Sequence, residues 1–267
     1  MKTRAITGFI FVLVMLASLL GGPYVFVAFY LFLSLMCLVE FFSLVNTTGL
    51  RPHKNMGYIA ALVIFISVAG RFFINFESKW LLINIPLLFG IFIRELYKKS
   101  TLPFSNIAYT FLGLIYAVIP FVFYVSIAFI SGTYNSHLAL AFFLMLWAND
   151  TGAYLFGVKF GKHRLFERHS PKKSWEGFIG GIFTSVLVAY IISMFYTDYA
   201  FYHWMAMGLI ISCFGTLGDL VESMFKRSID VKDSGKILPG HGGVLDRFDG
   251  LLLSAPVIFV YLYLITY

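Results

Sequence analysis

The side chains able to do chemistry are gathered in two short stretches of this chain. Residues 149–177 hold nine charged side chains and residues 219–249 hold eleven, so 60 of the 267 residues carry 20 of the 33 charges. In the first stretch Asn149, Asp150 and Thr151 stand together inside an apolar run. A carboxylate there is costly and usually faces a polar cavity. A structural Asp150 paired with a neighbouring helix is the plainer reading. The cluster of three polar residues, with Gly152 and Gly157 beside it as close-packing positions, favours a functional one. Further on comes Ser170-Pro171-Lys172-Lys173-Ser174-Trp175-Glu176-Gly177. Pro171 interrupts any helix, and Ser174 is placed to cap the next one. A helix N-terminus beside Lys172 and Lys173 attracts phosphate through its free N–H groups and its dipole. A solvated basic loop near anionic headgroups would account for the charge alone, so the order of residue types carries the phosphate reading. His163 and His169 read as surface residues.

In the second stretch Asp219, Glu222, Ser223 and Lys226 are spaced by three, four and seven residues, so they share one face of a helix. They could form only a salt-bridge network, or they could hold a metal and a phosphate. The loop that follows contains Gly240, Gly242 and Gly243, which permit backbone shapes closed to other residues. Successive N–H groups in such turns can form an anion nest. Asp246, Arg247 and Asp249 come next. Carboxylate oxygens suit Mg²⁺, which is seldom caged by protein alone and shares itself with substrate phosphates. Lysines and an arginine nearby suit a polyphosphate. The combination points to chemistry on a phosphorylated substrate at a membrane face, without naming the reaction.

Elements must position these groups, and composition says of what kind. The chain is 60% hydrophobic, 19% aromatic and 12% charged, with a mean hydropathy of +0.85. A soluble domain carries about 25% charged residues. No water-soluble fold could hide this much apolar surface, so lipid is the solvent for most of it. The expected fold is all-α, a polytopic integral membrane bundle of about nine transmembrane helices. The spans lie near 5–20, 24–45, 57–75, 80–96, 104–130, 137–157, 175–196, 201–225 and 250–266. The first begins Met1-Lys2-Thr3-Arg4, like a signal sequence. No convincing cleavage site follows, and Gly21-Gly22-Pro23 leads directly into the next span, so it is expected to be retained. With the N-terminus cytoplasmic, alternation puts 18 of the 20 Lys and Arg on the cytoplasmic side, leaving Arg71 and Lys79. This is the positive-inside bias, and it makes the C-terminus external. Topology thereby accounts for most of the net charge of +7, and no nucleic-acid partner is needed. Cys37 and Cys213 read as small buried hydrophobes, with no disulfide or zinc pattern. No internal repeat supports a transporter of duplicated halves. The charge map divides the chain into a transmembrane scaffold of about five helices over 1–136 and a catalytic half over 137–267 with two cytoplasmic polar loops.

The segment 223–249 resembles the signature of the phosphatidate cytidylyltransferase (CDP-diacylglycerol synthase) family. It has Ser223 with Lys226-Arg227, then Lys232-Asp233, Pro239-Gly240-His241-Gly242-Gly243, and Asp246-Arg247-Phe248-Asp249, all at the family's spacing. Asn149-Asp150, the stretch 170–177 and Gly218-Asp219-Leu220-Val221-Glu222-Ser223 also resemble it. The likeness is strong over about 145–250 and only one of hydropathy and size over 1–140. It implies that CTP and phosphatidate give CDP-diacylglycerol and pyrophosphate, an early step of phospholipid biosynthesis, at the cytoplasmic face of the inner membrane. It implies Mg²⁺, room for a second cation, and a homodimer. Asp219 and Asp246, followed by Asp249 and Glu222, are the implied metal ligands. Lys226, Arg247, Asp246 and Asp219 are the implied catalytic set. Asn149, Asp150, Lys172, Lys173, Ser174, Ser223, Arg227, Lys232, His241, Gly242 and Gly243 are the expected substrate contacts. Two other readings remain. A CTP-dependent polyprenol-type lipid kinase would share the stretch 170–177, and an ion-coupled transporter would use Asp150 and Asp219 as coupling acids. The complete run from His241 to Asp249 counts against the first, and the charge concentrated on one face counts against the second.

Overall fold

The computed structural model describes residues 2–235 and 242–267. Chain order is α1 (Lys2–Leu20), α2 (Pro23–Thr47), α3 (Lys54–Phe73), a 3₁₀ segment (Ser78–Ile83) leading into α4 (Asn84–Leu96), α5 (Pro103–Ala117) and α6 (Ile119–Ile127). It continues with α7 (Ser136–Phe160), the strands β1 (Arg164–Phe166) and β2 (Ser170–Ser174), then α8 (Trp175–Phe195), α9 (Phe201–Ser228) and α10 (Leu245–Thr266). Among the described residues seven helices are long and apolar enough to cross a membrane, with α5 and α6 taken as one run, and the apolar part of α1, Thr7–Leu20, is shorter. Each of the nine expected spans is helical. The α5–α6 run breaks at Val118, just ahead of Pro120, because proline cannot continue the hydrogen-bond ladder.

The fourth expected span is a composite. Six 3₁₀ residues precede thirteen α-helical ones. At about 2.0 and 1.5 Å per residue these rise roughly 32 Å, close to the ~30 Å of hydrocarbon. The segment runs antiparallel to α3. Asn84 Nδ2 donates to Ser67 Oγ (3.1 Å) at one end, and His53 Nε2 meets Glu95 Oε2 (2.5 Å) at the other. Asn106 Nδ2 donates to Glu95 Oε1 (2.8 Å), and the His53 N–H donates to Thr110 Oγ1 (2.8 Å), so α5 begins at the same end. The far end is equally well tied. Tyr134 Oη donates to the Leu19 carbonyl (2.8 Å), Tyr267 Oη to the Ile130 carbonyl (3.1 Å), and Tyr199 Oη bonds Thr266 Oγ1 (3.1 Å).

Rings fill the centre. Phe26, Tyr30, Phe41, Phe42, Phe121, Tyr124 and Phe248 are fully buried, all of them on α2 and its neighbours α6 and α10. Leu20, Phe89, Leu96, Ile179, Phe183 and Leu264 point outward, as a lipid solvent permits. The closest helix contact joins α7 and α8. Gly152 lies against Thr184 and the Gly180 carbonyl, Gly177 against the Ala153 carbonyl, and Gly181 against Asn149. Missing side chains let the two backbones approach, and Thr184 Oγ1 then donates to the Ala148 carbonyl at 2.9 Å. The loop expected after α7 contains an antiparallel hairpin instead, pairing Arg164 with Ser174 and Phe166 with Ser170. Pro171 is tolerated there because a two-stranded ribbon has free edges.

Candidate functional site

A cavity of about 400 Å³ opens between α7, α8, α9 and the hairpin. Asn149 and Asp150 of α7, Lys172, Lys173 and Ser174 of β2, and Thr216 and Asp219 of α9 form its polar wall. Ala153, Tyr154, Val158, Leu165 and Phe178 form an apolar wall opposite. Lys173 Nζ pairs with Asp219 Oδ2 (2.7 Å) and reaches the Thr216 carbonyl (3.4 Å). Ser223 Oγ donates to Asp219 Oδ1 (3.3 Å), one turn away on the same face. Asn149 is 1% exposed. Its amide donates to Thr216 Oγ1 and Asp150 Oδ1, both at 3.4 Å, while its Oδ1 is buried without a partner among the described residues.

Local chemistry builds this wall. Ser174 caps α8 as expected, its Oγ accepting the Gly177 N–H (3.2 Å). Glu176, in the first turn of α8, holds the hairpin base. It accepts the Lys162 N–H (3.1 Å) and the His163 N–H (3.3 Å) and pairs with His163 Nδ1 (2.6 Å), while the Trp175 N–H donates to the His163 carbonyl (2.9 Å). The hairpin therefore delivers both lysines to the mouth of the cavity rather than leaving them on a free loop.

A second cluster lies at the α9–α10 junction. Lys226 Nζ sits between Glu222 Oε2 (2.6 Å) and Asp246 Oδ1 (2.5 Å). Asp246 Oδ2 accepts the Ser234 N–H (2.9 Å), the Gly243 N–H (2.9 Å) and the Ser234 hydroxyl (3.0 Å). Glu222 is 1% exposed, and its Oε1 has no partner among the described residues. Asp249 Oδ1 accepts the Gly250 N–H (2.7 Å). Its carboxylate feels the negative charge of Asp219, Glu222 and Asp150. Arg247, in the first turn of α10, acts on the charge of Asp150.

The other expected contacts lie around this junction. Arg227 Nη1 donates to the Val231 carbonyl (3.2 Å) on the exposed side of α9, and Lys232 is exposed just beyond. Gly242 takes a φ of 81°, a left-handed conformation that favours glycine. His241 lies outside the described residues. The glycine-rich turn was expected to offer its N–H groups to an anion. In the structure those of Gly243, Val244 and Leu245 are taken by the protein's own carboxylates, Asp246 and Glu40.

Three residues were not singled out from the sequence. Thr216 links Asn149 to Lys173. Ser234 donates to Asp246. Glu40 of α2 is buried at 4% exposure in the half read as scaffold. Its signal was present: one carboxylate in an otherwise apolar span is the cost argument that marked Asp150.

The donors fit a hard divalent cation. Asp150 and Asp219 border the cavity, Asp249 acts electrostatically on both, and one oxygen of Glu222 is unpartnered among the described residues. No three His, Cys, Asp or Glu among the described residues form a ready-made cage, and Mg²⁺, which keeps waters and substrate phosphates as ligands, needs none.

A model of the cytidylyltransferase family matches residues 2–265. A phosphatidate cytidylyltransferase from Staphylococcus aureus (strain COL) is 38% identical over 264 residues, 97% of each chain. Proteins of the same description from Staphylococcus haemolyticus (strain JCSC1435) and Staphylococcus saprophyticus are 37% and 36% identical over the same length and shares.

Proposed function

We infer the reaction from kinship and site together: the chain belongs to the cytidylyltransferase family, and it is a nucleotidyltransferase that transfers CMP from CTP to phosphatidate, giving CDP-diacylglycerol and pyrophosphate. The observation that carries this reading is the two-faced cavity, with lysines and carboxylates on one wall and Tyr154, Val158 and Phe178 on the other. Such a space suits a phosphate attached to acyl chains and shared with a nucleotide.

A phosphate oxygen of phosphatidate attacks the α-phosphorus of CTP, and the bond to pyrophosphate breaks. No enzyme nucleophile is required, because such transfer rests on positioning and charge neutralisation. Lys172 and Lys173, with the capped start of α8, hold a phosphate group. Lys173 exchanges its contact with Asp219 for that phosphate, which would free the Asp219 carboxylate to hold a cation. Asp219 and Asp246, with Asp249 and Glu222, are the carboxylates that would hold Mg²⁺. Bound there, the cation would neutralise phosphate charge and support the attacking and leaving oxygens. Lys226 keeps Asp246 and Glu222 oriented. Arg247 and Arg227 offset the negative charge that develops near the membrane surface.

The site belongs on the cytoplasmic side. The segments that alternation assigns to its side carry 18 of the 20 Lys and Arg by sequence, the bias that marks the cytoplasmic face, and CTP is supplied there. With nine crossings the N-terminus shares that side and the C-terminus is opposite, in the inner membrane of the cell.

The test uses purified protein with phosphatidate, CTP labelled in the cytidine and α-phosphate, and Mg²⁺. Metal-dependent pyrophosphate release with label entering the lipid is expected. Release of CDP with phosphorylation of a lipid alcohol would replace this reading with a lipid kinase.

A further inference from the structure

Glu40 is a carboxylate of α2, far in sequence from both polar stretches, yet its side chain closes on the signature loop. Its Oε1 accepts the Val244 N–H (2.9 Å), and its Oε2 accepts the Leu245 N–H (2.9 Å) and the Ser234 hydroxyl (3.0 Å). Val244 and Leu245 open α10, where a carboxylate meets both free N–H groups and the positive end of the helix dipole. Ser234 comes ten residues before Val244 in the chain, so one side chain ties together two separate parts of the signature stretch. The two flanking glycines fit the same picture. A Cβ on Gly235 would meet Glu40 Oε1 at 2.7 Å, and one on Gly243 would strike Glu40 Oε2.

The Ser234 hydroxyl adds a link to the reacting groups. It lies 3.0 Å from Glu40 Oε2 and 3.0 Å from Asp246 Oδ2. A hydroxyl has a single proton to donate, so the two carboxylates share it. Asp246 in turn faces Lys226. We propose that Glu40 is a positioning residue of the cytidylyltransferase site, fixing Ser234 and the start of α10 to α2 and setting the orientation of Asp246 through Ser234. The inference rests on the reaction assigned above, while the contact it names does not.

The test therefore reads structure and turnover separately on the full-length protein. Glu40→Gln keeps the shape of the side chain but turns an N–H₂ toward donors that need an acceptor. Amide hydrogen exchange at residues 243–245 should rise at least tenfold in this variant, with the amides of α7 and α8 unchanged. In the lipid assay kcat should fall at least tenfold, KM for CTP should stay within threefold, and Glu40→Asp should recover more kcat than Glu40→Gln. Ser234→Ala removes the bridge without touching α2 and should lower kcat in the same direction, which decides the matter if Glu40→Gln fails to fold. Unchanged exchange at 243–245 together with full kcat would overturn the proposal, as would loss through KM alone. Wild-type protein that makes no CDP-diacylglycerol, but whose exchange responds to Glu40→Gln, would overturn the assigned reaction and leave the positioning role intact.

Discussion

Lys226 stands between two carboxylates at 8% exposure, and its charge is what lets them lie close together. Removing one partner of a buried ion pair leaves an uncompensated charge and costs about 3–5 kcal/mol. Lys226→Met should therefore lower the melting temperature in detergent, and adding Glu222→Gln should restore part of the loss. An unchanged melting temperature for the single variant would mean that Glu222 and Asp246 are compensated from elsewhere. Asp246→Asn is the milder change, since Lys226 keeps Glu222. Turnover should fall roughly 10²-fold, the scale of losing one electrostatic contact made in a transition state, while the protein stays folded in detergent with a smaller drop in melting temperature than Lys226→Met. Full activity in that variant would take Asp246 out of the site. The sequence made part of this legible. Spacings of four along α9 place Ser223 over Asp219 and Lys226 over Glu222, and both contacts are present. The long-range partners were not legible. Helical periodicity says nothing about Lys173 meeting Asp219, or Lys226 meeting Asp246, because those contacts depend on how α8, α9 and α10 pack.

Among the elements, the crossing of α7 and α8 decides where Asn149, Asp150 and the hairpin lysines meet. A methyl group on Gly152 would press on Thr184 and on the Gly180 backbone, and backbone yields less readily than a flexible side chain. Overpacking of this kind costs about 1–3 kcal/mol. Gly152→Ala should destabilise the protein by that amount and lower turnover by shifting Asn149 and Asp150 against α9. Thermal unfolding and the lipid assay check both effects, and a variant as stable and active as wild type would show that the helices separate freely. The small residues could be read in advance as close-packing positions. The hairpin could not, because Pro171 and the charged residues around it give no period-two pattern. What holds it is Glu176 reaching back to residues 162 and 163. The fourth span looked like one helix because apolar composition does not distinguish a 3₁₀ start from an α-helical one.

For the whole molecule, the remaining question is which way the bundle faces, and the side chains make it testable. The tip of the hairpin, with Arg168 exposed, and the loop at Ser131, also exposed, lie at opposite ends of the bundle. Cys37 is buried and Cys213 partly so, so a Cys213→Ser background leaves little native thiol for an impermeant reagent. In that background Ser131→Cys should label on intact spheroplasts. Arg168→Cys should label only once the membrane is opened. This pattern requires the α4 segment to cross, since a segment folded back on one face would put Ser131 and Arg168 on the reverse sides for the same N-terminus. The opposite pattern would set the lysines, Asp150 and Asp219 against the outer face, away from the CTP pool, and the positive-inside argument would then fail together with the assigned reaction. Labelling of both positions from one side would instead show that an even number of crossings separates them. Because α7 alone lies between Ser131 and the hairpin, that result would deny α7 a transmembrane path and leave Asp150 outside the apolar core of the membrane.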